Sequence, residues 1–281
     1  IGTVNGTGSA SANGLLMQAI FRMGIPVSGK NIFPSNIQGL PTWYEIRVSK
    51  DGYMARPSEV DLVVALNPAT YAKDVATVRE GGYLLYDSSW PLPRELERDG
   101  IKILGIPFGK LCVQNFEGDR ERTLLRNIAY AGALTALLGI DMDVVHKLLE
   151  ETYGKKPKLL AANHTAIRLG REYAEAHFEC PLPFRLERMD ATGGSILIDG
   201  NTACALGALY AGATVGAWYP ITPATSLMEA FKAFCEKYRV DAATGERRYC
   251  ILQAEDELAA AGIVIGAGWA GARAFTNTSG P

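Results

Sequence analysis

Between residues 42 and 107 the chain repeats one pattern, a short run of β-branched and aromatic residues followed by a segment with helical periodicity. Four such runs read as strands: 42–49, turning at Asp51-Gly52, then 61–66, 83–87 and 101–107. This alternation predicts an α/β domain, because strands separated by helices are joined by crossovers that lay them parallel and cover the sheet faces. The intervening helices are expected from the Gly-rich opening through Met23, over 68–79, and over 119–138. Asp141 is read as the cap of the next helix, which carries Val144, Val145, Leu148 and Leu149 on one stripe, and a helix over 155–178 closes the domain.

At about 100 to 200 residues per domain, a chain of 281 residues predicts two. The stretch CPLPFRLERMDATGG, 180–194, breaks any periodic element with its prolines and glycines. The expected organisation is therefore a domain over 1–180, a linker over 181–194, and a second domain over 195–281. After the linker, Ile196 to Ile198 lead through Gly200-Asn201 into an Ala-rich helix. A strand over 214–218, a helix over 225–238, a strand over 249–253, a helix from near Glu255 and a last strand over 274–278 complete it. About three core strands are fewer than the usual four to six or so, so the second domain reads as cut in mid-domain, as Ile1 reads as cut in mid-strand.

A net charge of -2 with scattered Lys and Arg gives no basic footprint, so nucleic acid is not an expected partner. Five cysteines without a C-x-x-C pair suggest no disulfide framework, no structural zinc and no iron–sulfur cluster on this chain, and a reducing cytoplasm fits best. No signal peptide is visible at Ile1, and the small-apolar run 258–272 is too short to span a bilayer, so no membrane is expected either. His146, His164 and His177 lack metal-ligand spacing and read as helix-surface histidines; no metal ligand is assigned.

Three constellations could carry chemistry. Gly6-Thr7-Gly8-Ser9-Ala10-Ser11 sits where a first strand hands over to a first helix, so Gly6 and Gly8 could let backbone amides approach a phosphate. Ser11 stands in place of a third glycine, and 24–30 offers no acidic residue for a ribose, which leaves dinucleotide binding, another phosphate-bearing ligand and a plain structural turn all open. Tyr219-Pro220-Ile221-Thr222-Pro223 follows a buried strand, placing Thr222 at a sheet edge where its hydroxyl could meet a substrate oxygen; the alternative is a Pro-stiffened loop before a helix capped by Thr225. Glu255, Asp256 and Glu257 open a helix and suit its dipole, but Glu257 also meets a face of Ala260, Ala261, Gly262 and Gly266, where a carboxylate could do acid–base work.

Taken together, YPITP (219–223), QAEDELAAAG (253–262) and GARAFTNTSGP (271–281) resemble the pyrimidine-binding domain of 2-oxoacid:ferredoxin oxidoreductases, and GNTACALGA (200–208) resembles its start. The Gly-rich opening and NIFPSNIQGLPTWYEIRVS (31–49) are similar to the γ domain fused ahead of it in α subunits of the 2-oxoglutarate type. The resemblance implies a Rossmann-like γ domain followed by the first part of a thiamine diphosphate pyrimidine-binding α/β domain. It implies oxidative decarboxylation of a 2-oxoacid, with 2-oxoglutarate first and pyruvate or another 2-oxoacid as alternatives, to an acyl-CoA with electrons passed to ferredoxin, or the reverse carboxylation. By the same resemblance Glu257 contacts N1′ of the cofactor's aminopyrimidine, Thr222 lies beside the substrate, and Tyr219 and Pro220 shape the pocket.

No G-D-G with a downstream asparagine is present for magnesium and diphosphate, so the resemblance assigns the diphosphate, Mg2+ and the iron–sulfur cluster to a separate β subunit, in a heterodimer or a dimer of heterodimers. Coenzyme A is the second substrate it implies, and Gly6 and Gly8 are candidate contacts for it or for a phosphate. The competing readings are a nicotinamide-dependent dehydrogenase built on the Gly-rich opening, and a non-catalytic scaffolding subunit.

Overall fold

A computed structural model describes residues 1–4, 6–33 and 40–279. The chain divides into two compact units, Ile1–Ser195 and Ile196–Pro281. Part of the segment that resembles a γ domain, 34–39, and the final Gly-Pro of the last quoted stretch, 280–281, lie outside the described residues.

The first unit is a six-stranded sheet in the order β2-β3-β1-β4-β5-β6. Its strands are β1 (Gly2–Val4), β2 (Val27–Ile32), β3 (Pro41–Val48), β4 (Val60–Ala65), β5 (Val78–Asp87) and β6 (Lys102–Ile106). β1, β4, β5 and β6 run parallel, and an antiparallel pair, β2 and β3, continues the sheet beyond β1. Alternation along the central strands sorts the core into two layers, because successive side chains point to opposite faces. Val64, Leu66, Tyr83, Leu85, Leu104 and Ile106 pack beneath α1 (Ser9–Arg22), α3 (Phe108–Asn115), α4 (Asp119–Leu138), α5 (Met142–Tyr153) and α6 (Pro157–His177). Val63, Ala65 and Leu84 pack on the other face with Tyr71 and Val75 of α2 (Tyr71–Thr77).

The expected helix over 68–79 is shorter than the sequence suggests. A 3-10 turn over Pro68–Thr70 leads into α2, and at Val78 the backbone is already extended, pairing with Val60. The strand β2 and the short helix α3 were not anticipated. Asp141 does cap α5, accepting from the amide of Asp143 at 2.9 Å, and Val145, Leu148 and Leu149 are buried on its inner stripe. The segment 181–194 is fastened to the first unit: the amides of Leu182 and Leu186 donate to Leu137 and Leu138, and those of Met189 and Ala191 to Met23 and Gly24.

The second unit holds a three-stranded parallel sheet in the order β8-β7-β9, built from β7 (Val215–Trp218), β8 (Cys250–Gln253) and β9 (Ala274–Phe275). Helices α7 (Gly200–Tyr210) and α8 (Thr225–Tyr238) contribute Ala205, Met228, Phe231 and Cys235 to the core on one face. On the other face α9 (Glu257–Trp269) sets Ala260 against Ala217 and Ala254. The last strand pairs only through Ala274 and Phe275, not through 278. Among the described residues no helix is long and apolar enough to cross a membrane.

Candidate functional site

Parallel pairing decides where the sequence motifs meet. β7 and β8 are in register with Trp218 opposite Gln253, and the amide of Ala254 donates to the carbonyl of Trp218 at 2.9 Å. Both strands therefore end on one edge of the sheet, and each is followed there by a motif: Tyr219 to Pro223 after β7, and Glu255 to Glu257 after β8. The carboxyl edge of a parallel α/β sheet is where loops are free to carry ligand groups on a rigid base.

The loop after β7 is braced from several directions. Asn201, in the first turn of α7, donates through Nδ2 to the carbonyl of Pro223 at 2.8 Å and to Oγ of Ser226 at 2.7 Å. Asp199 caps α7 through the amide and hydroxyl of Thr202, and those hydrogen bonds, the hydroxyl's first, hold the Asp199 carboxyl below the usual carboxylate range. From the end of the chain, Ser279 Oγ donates to the carbonyl of Thr222 at 3.0 Å, and Asn277 Nδ2 donates to the carbonyl of Ala224. Four stretches singled out in the sequence, the Gly-Asn-Thr turn, YPITP, QAEDE and FTNTS, thus gather on one edge.

Within that frame Thr222, Tyr219 and Pro220 are exposed, Tyr219 at 38%. The contact that Ser279 makes with Thr222 uses its carbonyl and not its hydroxyl. The helix that follows is not capped by Thr225, contrary to expectation. Ala224 occupies the cap position without a side-chain bond, and Thr225 Oγ1 donates back to the carbonyl of Ile221 at 3.2 Å, as a first-turn residue does.

Glu257 is the first residue of α9 and half-buried. Asp256, which the sequence placed in the first turn, is the cap itself and accepts from the amide of Ala259 at 2.6 Å. The division of labour is clear: Asp256 satisfies the helix end, and Glu257 is released from that duty. Beyond it Gly262 and Gly266 have open space where a side chain would stand, but at about 100° per residue they lie about 140° and 180° round α9 from Glu257, so the shared face expected from the sequence does not form. On the opposite face of the sheet, packed with α7 and α8, Trp218 Nε1 is buried without a hydrogen-bond partner among the described residues.

Gly6 and Gly8 lie in the first unit, at the end of β1. Both have φ of 85°, a left-handed conformation that favours glycine. A Cβ on Gly8 would stand 2.5 Å from Leu124 Cδ2 of α4, so the turn and its packing alone account for that glycine. Thr7 Oγ1 closes the turn on the carbonyl of Val4 at 2.8 Å.

His146 and His164 face each other across α5 and α6, with Nδ1 atoms 3.0 Å apart, and His177 stacks on Tyr173. Among the described residues no group of three or more His, Cys, Asp or Glu is placed to hold a metal ion. The buried thiol of Cys112 is pushed up to about 12 by desolvation and that of Cys235 is raised by the same cause, so neither offers a thiolate nucleophile. A basic cavity in the first unit, around Trp90, Lys110, Arg122 and Arg126, was not anticipated, because its residues come from three separated stretches of sequence.

A family model described as pyruvate ferredoxin/flavodoxin oxidoreductase matches residues 1–173, and one described as pyruvate flavodoxin/ferredoxin oxidoreductase, thiamine diP-binding, matches 206–281. The chain is 28% identical over 329 residues to subunit alpha of 2-oxoacid:ferredoxin oxidoreductase 2 of Aeropyrum pernix, covering 100% of this chain and 50% of that protein. It is 24% identical over 263 residues to 2-oxoglutarate oxidoreductase subunit KorA of Mycobacterium tuberculosis, covering 85% of this chain and 38% of that one. A solved structure of 2-oxoglutarate:ferredoxin oxidoreductase from Magnetococcus marinus, with 2-oxoglutarate, coenzyme A and succinyl-CoA bound, is similar with a TM-score of 0.81 and 28% identity, covering 100% of this chain and 47% of that one. The chain spans about half the length of the curated relatives it matches in full.

Proposed function

The chain belongs to the pyruvate ferredoxin/flavodoxin oxidoreductase family, and from that premise we propose that it supplies the α-subunit part of a thiamine diphosphate-dependent 2-oxoacid:ferredoxin oxidoreductase acting on 2-oxoglutarate. The reaction is oxidative decarboxylation to the acyl-CoA with electrons passed to ferredoxin, or the reverse carboxylation, in the cytoplasm with a separate β subunit. The choice of 2-oxoglutarate is supported by the names of the Mycobacterium relative and the Magnetococcus structure. In this reading 1–180 act as the γ-type domain, 181–194 as the linker, and 195–281 as the N-terminal part of the pyrimidine-binding domain.

The observation that carries the reading is the common edge of β7 and β8, which brings Tyr219, Pro220 and Thr222 beside the start of α9 and Glu257. The residues there suit the cofactor: one carboxyl that does not cap its helix, and an exposed threonine on a braced loop. Bound there, thiamine diphosphate supplies the electron sink that decarboxylation requires. Glu257 would hold a proton at the pyrimidine N1′ and so fix which form of the ring is present. Thr222 would donate to a carboxylate or carbonyl oxygen of the 2-oxoacid from a loop whose position is already set, at low entropic cost. Tyr219 and Pro220 would wall the same pocket. The diphosphate, Mg2+ and iron–sulfur cluster fall to the β subunit, and Gly6 and Gly8 are proposed backbone contacts for a phosphate or for coenzyme A.

The test is a panel of 2-oxoacids with this subunit and its β partner, read as coenzyme A-dependent reduction of a viologen dye. Reduction with 2-oxoglutarate and not pyruvate supports both reaction and substrate, and reduction with pyruvate alone overturns the substrate. Glu257→Ala should lower the rate by about 10²- to 10⁴-fold, the usual worth of a positioned acid–base group. An unchanged rate would favour a scaffolding subunit, and micromolar binding of NADH to the chain would favour a dehydrogenase.

A further inference from the structure

At the carboxyl edge of β5 and β6 in the first unit lies a cavity of about 490 Å³, lined in part by Ser89, Trp90, Lys110, Arg122 and Arg126. Its floor is self-contained. Asp87, wholly buried at the end of β5, accepts from the amide of Ser89 at 3.0 Å and that of Gly109 at 3.2 Å, and Ser89 Oγ accepts from the amide of Lys110 at 3.0 Å. The first amides of α3 are therefore already met by the chain.

The guanidinium of Arg126 is met only in part. Its side chain is only 16% exposed, yet its nearest carboxylate oxygen, on Asp87, stands 3.9 Å away, beyond hydrogen-bonding distance. Its Nε is buried without a partner among the described residues. Arg122 commits Nε to the carbonyl of Phe116 at 2.9 Å and Nη1 to Asp119 at 3.2 Å, which leaves Nη2. Lys110 stands exposed in the lining, and among the described residues the three cations face Asp119 in the lining and Asp87 beneath Arg126. A guanidinium has five donors in a planar fork, and leaving them unmet in a desolvated place is costly. An oxyanion that accepts two of them side by side removes that cost. Trp90, 40% exposed with Arg126 5.3 Å from its ring centroid, adds a flat apolar wall beside the cations.

We propose that this cavity binds a phosphate ester carried on an aromatic ring, of the nucleoside diphosphate class, with the phosphates on Arg126, Arg122 and Lys110 and the ring against Trp90. The volume is in the range of small-molecule sites. The cavity lies wholly within the first unit, and a binding measurement tests it without turnover.

ADP and inorganic pyrophosphate are titrated into the full chain and followed by calorimetry and tryptophan fluorescence, with succinate as a dicarboxylate control. ADP is expected to bind and to quench fluorescence, with affinity falling as salt rises. Arg126→Gln should weaken ADP and pyrophosphate by about 10- to 100-fold, in line with hydrogen bonds to a charged group. Trp90→Ala should weaken ADP and leave pyrophosphate unchanged. Lys110→Gln, an exposed change that spares the fold, should weaken both several-fold and keeps the test alive should Arg126→Gln fail to fold. No binding of either phosphate at millimolar concentration, or binding that ignores all three substitutions, overturns the site. Succinate binding in place of phosphate overturns the ligand class.

Discussion

Helices α4 and α9 are both rich in alanine and glycine, and they do opposite things. α4 buries twelve of its twenty residues, including an unbroken run from Asn127 to Leu137. α9 buries Ala260 alone and leaves Leu258 at 84%, Ile265 at 71% and Trp269 at 94% exposed. Small residues serve the first unit by letting its backbones close up: a Cβ on Gly170 of α6 would fall 1.8 Å from the carbonyl oxygen of Ala129 in α4. In the second unit the same residue types leave open the side of the helix away from Glu257. Composition alone therefore does not say whether a small-residue helix is core or site; its neighbours do.

The sharpest way to separate the units is through their cores. Phe231, fully buried between α8 and the second sheet, should cost about 3–5 kcal/mol when changed to alanine, and the loss should appear as an early melting transition confined to the second unit. A single transition shifted as a whole would break the distinction. Next in size, Gly170→Ala should destabilise the first unit by about 1–3 kcal/mol or more through overpacking. Gly262→Ala, with nothing near its added methyl, should be neutral or stabilise by about 0.5–1 kcal/mol, because alanine orders more readily in a helix. Equal effects in thermal melts would show that α4 and α9 are packed alike. Asp256→Ala removes the cap of α9 and should cost about 1 kcal/mol, while reducing turnover by loosening the turn that carries Glu257; both are read on the reconstituted enzyme.

The smallest expected effect is a pH dependence that belongs to one unit. All three histidines lie in the first. Burial, then the neighbouring His146, pulls His164 below its ordinary value of 6.5, against the opposing charge of Glu150. A base depressed on folding contributes stability that is present above its unfolded value and is lost as pH falls through the lower folded one. The first unit's melting temperature should therefore decline as pH drops below 6.5, less steeply in His164→Gln, with no matching trend from a histidine in the second.

Much of this was legible because local signals and tertiary structure agree. α8 spans the expected 225–238 and α4 the expected 119–138, where charged first turns or long periodic runs mark the ends. β2 escaped because VSGKNI has no alternating apolar pattern. Its place is set by neighbours, with Gly29 against Met17 and Tyr44. α3 escaped because eight residues beginning Phe-Gly carry too little periodicity to stand out. At the candidate site the residues of YPITP and the glutamates were visible as types in suggestive places. Their convergence depends on β7 and β8 being parallel neighbours, and the bracing by Asn201 and Ser279 depends on contacts 22 and 57 residues away in sequence. Arg126 could have been noticed as a charge inside the apolar run of α4, but that its buried Nε has no partner among the described residues is a fact of three dimensions.

The hydrogen bonds that tie 181–194 to the ends of α1 and α4 also determine where this chain can be opened. Proteases and inserted domains both need backbone that can leave its neighbours, and that segment, despite its prolines and charges, is held at four of its amides. The vulnerable point is the stretch after it, where Ile196, Leu197 and Ile198 lie exposed at 73%, 36% and 38% outside any helix or strand. A cut there leaves both helix ends of the first unit covered, whereas a cut at 180 would strip them.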